Sequence, residues 1–190
     1  MTLIQTFWLL LGSAWAAAET VMALKNRIPD LSANPARFRS ARGIWWVILG
    51  ALALALTFKH LHWLPLPLAY LPRQALALGL MLMALGLRYY AIIRLGQWFS
   101  TQAVIQPQHC LIEQGPYRYI RHPAYTGLLG AFIAAGIAMG DGLALLALAC
   151  PLAWALERRM AYEENLLSGH FGPAYNAYRQ RTKKWLPWLY

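Results

Sequence analysis

The chain has 190 residues, 59% of them hydrophobic and only 13% charged, which is too apolar for an ordinary soluble domain of this length. Its net charge of +10 gives no reason to propose a nucleic-acid partner, because the basic residues alternate by loop and so report orientation and contact with anionic headgroups. Cys110 and Cys150 are the only cysteines, and the sequence gives no disulfide framework.

Five apolar stretches predict an all-α integral membrane protein with about five transmembrane helices: Thr2 to Leu24, Gly43 to Phe58, Gln74 to Leu95, Ala124 to Met139, and Gly142 to Leu156 continuing into a polar extension. The second, fourth and fifth are short against the ~20 residues a span needs, so they are expected to be upright, extended into the interface, or set in a thinned bilayer. Of the 17 basic residues, only Lys59 and Arg73 fall between the second and third stretches, and the other 15 fall on the opposite side. By the positive-inside bias this predicts an outside N-terminus, with the C-terminus in the cytosol. The first stretch has no positive charge before it and is too long for a cleavable signal, so it reads as a span.

Near the cytosolic end of that span lies Glu19, a costly charge for which a contact with Lys25 or another helix is expected. The basic connection from Lys25 to Arg42 contains Pro29 and Pro35, read as breaking any long helix there. Beyond the second span, Leu61 to Pro72 forms a short external connection, with Trp63 and Tyr70 as interface anchors. The neighbouring His60-x-His62 pair has no third ligand nearby in sequence, and no metal is predicted.

The third span ends in Arg88, Tyr89, Tyr90 and Arg94, cations that can reach headgroups. The next 28 residues, Gly96 to Pro123, have no amphipathic period, and a connection that long is usually a binding segment or a disordered linker. Trp98, Phe99, Val104, Ile105, Leu111, Ile112, Tyr117 and Tyr119 make it too apolar for a solvated linker, so an ordered lid or pocket wall is expected. Small residues such as Gly136 and Gly140 suit the fourth span to close packing. Gly140-Asp141-Gly142 then turns it into an antiparallel hairpin with the fifth. The extension of the fifth helix carries Glu157, Arg158, Arg159, Glu163 and Glu164, with Arg159 and Glu163 four apart on one face. His170-Phe171-Gly172-Pro173 breaks it. Ala174 to Arg181 follows as a short helix with Tyr175 and Tyr178 on one face, and Lys184 to Tyr190 reads as an interfacial anchor.

The most informative stretch is Gly115-Pro116-Tyr117-Arg118-Tyr119-Ile120-Arg121-His122-Pro123-Ala124-Tyr125-Thr126-Gly127, where polar sequence runs into the fourth span. Its prolines bias the residues before them towards extended backbone. Cations interleaved with amphipathic rings suit a large polar ligand with an aromatic base and charged ends, although interfacial anchoring would use the same residues.

Together with Glu163-Glu164, then Leu167, Phe171-Gly172, Tyr175 and Tyr178, and the apolar hairpin between, this stretch resembles the isoprenylcysteine carboxyl methyltransferase family, whose relatives include membrane phospholipid N-methyltransferases. The resemblance covers about Gly96 to Pro187. It divides the chain into residues 1–95, three N-terminal membrane helices, and residues 96–190, a methyltransferase core. It implies S-adenosylmethionine as cofactor, with S-adenosylhomocysteine as product, bound on the cytosolic side. Carried over by position, the implied cofactor contacts are Gln102, His109, Cys110, Leu111, Ile112, Tyr117, His122, Pro123, Ala124, Tyr125 and Glu163. Arg159 is implied as the catalytic and substrate-binding arginine that meets an acceptor carboxylate.

A sulfonium donor already carries an activated methyl group, so transfer mainly needs reactants held at the right distance and angle. A carboxylate acceptor is ionised at neutral pH and needs no base, and arginine grips it through a planar fork. An amine or thiol acceptor would have to lose a proton, and no base for that step is obvious. The expected function is therefore carboxyl O-methylation of a prenylated cysteine or similar lipid-tailed substrate. The alternatives are methylation of a phospholipid amine, a small thiol or another hydrophobic acceptor, and, in a different class, a non-enzymatic membrane binding or scaffold protein of the same fold. The expected partners are membrane lipids and the lipid-tailed acceptor, and the sequence does not fix an oligomeric state.

Overall fold

The computed structural model describes residues 3–25, 35–100, 105 and 108–185, without the side chains of 35–42. Six α-helices carry the described chain: α1 (Leu3–Lys25), α2 (Pro35–Leu61), α3 (Tyr70–Leu95), α4 (Pro123–Met139), α5 (Gly142–Phe171) and α6 (Pro173–Arg181), with 3-10 turns at Gly96–Trp98 and Gly115–Arg118. Among the described residues, three helical segments are long and apolar enough to cross a bilayer, Leu3–Lys25, Gly43–Leu61 and Tyr70–Trp98, and α4 is a shorter apolar helix. Large apolar side chains such as Leu10, Trp46, Met83 and Ile93 point outwards and are exposed, which suits a bundle solvated by lipid tails rather than water. The chain is a multi-pass integral membrane protein of all-α fold.

Pro35 does not break a helix. It is the first residue of α2, where its missing N–H costs nothing and its fixed φ favours the first turn. Helix α5 runs for 30 residues through an internal Pro151 and ends where Gly172 takes a φ of 53°, a conformation suited to glycine.

Without a hydrophobic force between lipid-facing helices, close packing and polar links hold such a bundle together. Ala51 and Ala55 of α2 meet Ala144, Ala147 and Leu148 of α5 in one buried cluster. Leu128 of α4 packs with Leu152, Leu156 and Met160 of α5. Helices α3 and α4 approach tightly at Gly127, where an added Cβ would sit 2.6 Å from the Ala84 carbonyl oxygen and 2.8 Å from the Arg88 backbone nitrogen. Backbone cannot move aside as a side chain can, so Gly127→Ala is expected to cost roughly 1–3 kcal/mol through overpacking. A lowered midpoint of thermal unfolding in detergent checks this.

Polar links fasten α1 to the rest. Trp8 donates to the Gln74 side-chain oxygen at 2.6 Å, and Gln74 donates to the Ala138 carbonyl at 3.0 Å. Glu19 pairs with Arg88 of α3, not Lys25, through two bonds of 2.6 Å, while the third arm of Arg88 reaches the Ala124 carbonyl at 2.9 Å. A forked, nearly dry pair of this kind satisfies both charges, and it ties α1 and α3 to the first turn of α4.

At the other end of the hairpin, Asp141 caps α5 by accepting from Ala144 N and also accepts from Leu64 N at 2.8 Å. Gly140 lies at a φ of 83°, with a Cβ position occupied by the Arg73 guanidinium. The turn is thus fixed from two sides, and with it the register of α4 against α5.

Candidate active site at the His-Pro turn

The site forms where α3, α4, α5 and α6 converge. Pro123 occupies the first turn of α4 and His122 its N-cap, with a φ of −125°. A short parallel bridge joins Ile120 to Lys183, and Arg121 N and His122 N donate to the carbonyls of Lys183 and Lys184. Thr126 adds a side-chain bond to the Trp185 carbonyl at 2.7 Å. The segment that carries these carbonyls is itself held to α5, since Lys184 pairs with Glu157 and Trp185 Nε1 donates to the same carboxylate at 2.7 Å. His122 is therefore positioned by backbone bonds on both flanks.

The two adjacent glutamates of α5 do different work. Glu164 is buried and accepts from Arg121 Nε at 2.8 Å and His122 Nε2 at 3.2 Å, with Arg179 3.8 Å away. Burial pushes its carboxyl pKa up, but the hydrogen bonds from His122 and Arg121 outweigh it and hold the group at about 2. Glu163 is more exposed. It accepts a short bond from the Tyr125 hydroxyl and a 3.2 Å bond from Arg159 Nε, and its second oxygen lies 4.0 Å from His122 Nδ1. Arg159 Nε also donates to the Tyr125 hydroxyl at 2.6 Å. His122 thus bridges the carboxylates, and Tyr125, Arg159 and Glu163 form a closed triangle.

These groups border a cavity that is partly open to solvent. Of the residues expected from sequence, His109, Cys110, Leu111, Ile112, Tyr117, His122, Ala124, Tyr125 and Glu163 line it. Pro123 sits just behind, at the start of α4, and Arg159 touches the cavity wall through Tyr125 and Glu163. Gln102 lies outside the described residues. The described part of the connection after α3 forms a wall, as expected: Trp98, Phe99, Ser100, Ile105 and the run His109 to Ile112 all line the cavity. Trp98 and His109 rings lie 5.1 Å apart, and His109 meets Phe171 edge-on at 5.8 Å. Burial and the nearby His170 lower the His109 pKa, favouring a neutral ring that packs against flat groups.

Sequence reasoning missed Arg121, Leu166, Tyr175 and Tyr178 as wall residues. Tyr178 donates to the Tyr117 carbonyl at 2.8 Å, locking α6 against the Gly115–Arg118 turn. The shared face of Tyr175 and Tyr178 was visible as a spacing of three, but nothing in the sequence says what that face covers.

Residues 77–169 match the model of the isoprenylcysteine carboxyl methyltransferase (ICMT) family. Protein-S-isoprenylcysteine O-methyltransferase B of Arabidopsis thaliana is 31% identical over 58% of this chain and 58% of its own. The protein-S-isoprenylcysteine O-methyltransferase of Schizosaccharomyces pombe is 29% identical over 60% of this chain and 49% of its own. The chain therefore spans about half the length of these curated relatives. The solved structure of the eukaryotic intramembrane Ras methyltransferase ICMT superposes with a TM-score of 0.57 at 24% identity, covering 82% of this chain and 53% of that one, and shares its fold.

Proposed function

We propose that this chain, a relative of the isoprenylcysteine carboxyl methyltransferases over residues 77–169, is a membrane methyltransferase that uses S-adenosylmethionine to esterify the carboxylate of a prenylated cysteine or similar lipid-tailed acceptor. The observation that carries this reading is convergence. His122 from the start of α4 and Glu163 from α5 border one cavity, with Arg159 bonded to Glu163 at its edge.

The cavity residues suit a large zwitterionic ligand with an aromatic base. Glu163 accepts hydrogen bonds from ammonium or hydroxyl groups, and the Trp98–His109 pair offers flat faces. The buried Nδ1 of His109, which has no partner among the described residues, is a polar group that a ligand can satisfy. S-adenosylmethionine supplies the activated methyl group. Everything asked of the protein is alignment, exclusion of water and charge placement.

Arg159 is anchored through Nε to Tyr125 and Glu163, which fixes the plane of its guanidinium beside the donor site. There it orients an acceptor carboxylate by a fork that lysine could not reproduce. Neither histidine nor tyrosine is needed as a base for a carboxylate. Burial pushes the Tyr117 and Tyr178 hydroxyls far up, so those two stay neutral and act by packing and hydrogen bonding.

The distribution of basic residues supports a cytosolic location for this end of the bundle, within reach of a water-soluble donor, with the lipid tail of the acceptor left among the helices. Five spans fit that topology. Transfer of a labelled methyl group from S-adenosylmethionine to a farnesylcysteine analogue, with none to phosphatidylethanolamine, is the expected outcome. Transfer to the amine lipid alone would replace the acceptor, and no binding of S-adenosylhomocysteine would overturn the reading.

A further inference from the structure

Tyr175 lines the cavity, is 1% exposed, and carries a hydroxyl with no hydrogen-bond partner among the described residues. A buried hydroxyl left unsatisfied is uncommon and costs stability, so it calls for a partner that the described residues do not provide. Beside it on α6 stands Tyr178, with ring centroids 5.9 Å apart. Arg121 also lines the cavity and binds the end of α6 through the carbonyls of Arg179 and Thr182, at 3.2 and 2.5 Å. Its Nε is held by Glu164 at 2.8 Å.

The charges in this corner decide what it takes. Glu164 is saturated by Arg121 and His122, with Arg179 nearby, and Glu163 is engaged by Tyr125 and Arg159. Arg121, Arg159 and Arg179 stand against Glu163 and Glu164, so the arginines outnumber the carboxylates by one. An incoming ammonium already has Glu163 to meet, whereas an incoming anion has the Arg121 side of the cavity. A hydroxyl donor and a guanidinium lining one cavity, on a wall where arginines outnumber carboxylates, are the groups that bind a carboxylate.

We infer that Arg121 and Tyr175 form a carboxylate subsite in the cavity, with Tyr175 donating its hydroxyl proton to the bound anion. The inference rests on the donor-binding reading above, and the amino-acid end of the donor is one source of such a carboxylate. The acceptor is the other. Glu163 and the Arg121–Tyr175 pair then take the ammonium and the carboxylate of one ligand at different points of the same wall.

Tyr175→Phe tests this because it removes only the hydroxyl. Calorimetry on the full chain in nanodiscs compares S-adenosylhomocysteine with its decarboxylated analogue, and a farnesylcysteine analogue with its carboxamide. The variant is expected to bind S-adenosylhomocysteine about tenfold more weakly, the scale of a lost bond to a charged group, and to bind the decarboxylated analogue as the wild type does. The same selective loss on the farnesylcysteine pair instead assigns the subsite to the acceptor. Wild-type binding that Tyr175→Phe leaves unchanged, or weakens equally for both members of each pair, overturns the subsite while sparing the proposed function. Failure of wild-type protein to bind any of the four ligands overturns both. The ligand-free variant is expected to melt no lower than wild type, since an unsatisfied hydroxyl has been removed; a clear drop means that the hydroxyl serves the fold, and the subsite falls.

Discussion

Arg159→Ala is expected to lower turnover on a carboxylate acceptor by about 100-fold or more, the scale set by losing a charge-assisted, forked contact, while weakening donor binding by no more than about tenfold. From sequence, with Arg159 assigned to the acceptor and Glu163 to the donor, the expectation is that donor binding is left almost intact. The structure couples them. Arg159 Nε lies 3.2 Å from Glu163 and 2.6 Å from the Tyr125 hydroxyl, so its removal strips Glu163 of a cation and leaves Tyr125 with one partner fewer. Arg159→Lys should not rescue turnover, because a point charge cannot hold two partners and a carboxylate in one plane. Calorimetry with S-adenosylhomocysteine beside labelled-methyl kinetics separates the terms, and a cycle with Glu163→Gln measures their coupling. A loss of donor affinity as large as the loss of kcat/KM would mean that Arg159 acts only through Glu163.

That coupling marks the boundary of what the sequence could tell. Helical periodicity put Arg159 and Glu163 on one face, and the apolar hairpin with its Gly140-Asp141-Gly142 turn was readable from composition and turn chemistry. The division of labour between Glu163 and Glu164 was not. It depends on where the His122 imidazole lands, and that position is set by backbone bonds from Lys183 and Lys184, some 60 residues away in sequence. Glu19 shows the same limit: a charge in an apolar helix announces a partner, but that Arg88 is the partner depends on how α1 lies against α3, which the sequence does not give. Pro35 was misread because a proline that ends one helix and one that begins the next look alike until the flanking turn is known. The place of Tyr175 in the cavity wall was not legible, since its signal is an unpaired atom among the described residues, which has no sequence signature.

Glu164→Ala is expected to be the most destabilising single change at the site, costing about 3–5 kcal/mol, because it leaves the Arg121 and His122 groups buried without their acceptor. Glu164→Gln keeps the shape and one oxygen but not the charge, so it isolates the electrostatic part. The pH dependence has a definite sign. With a folded pKa of about 2 below an unfolded value of ~4.3, the ionised Glu164 stabilises the fold fully above the unfolded value, and that contribution is lost as pH falls through the folded one. The gap in melting temperature between wild type and Glu164→Gln should therefore be widest near neutrality and close between about pH 4 and pH 2. Both proteins lose their other carboxylates alike over that window, so the difference reports this group. A gap that stays constant with pH would assign Glu164 to packing, and His122 would then be held by its backbone bonds to the C-terminal segment alone.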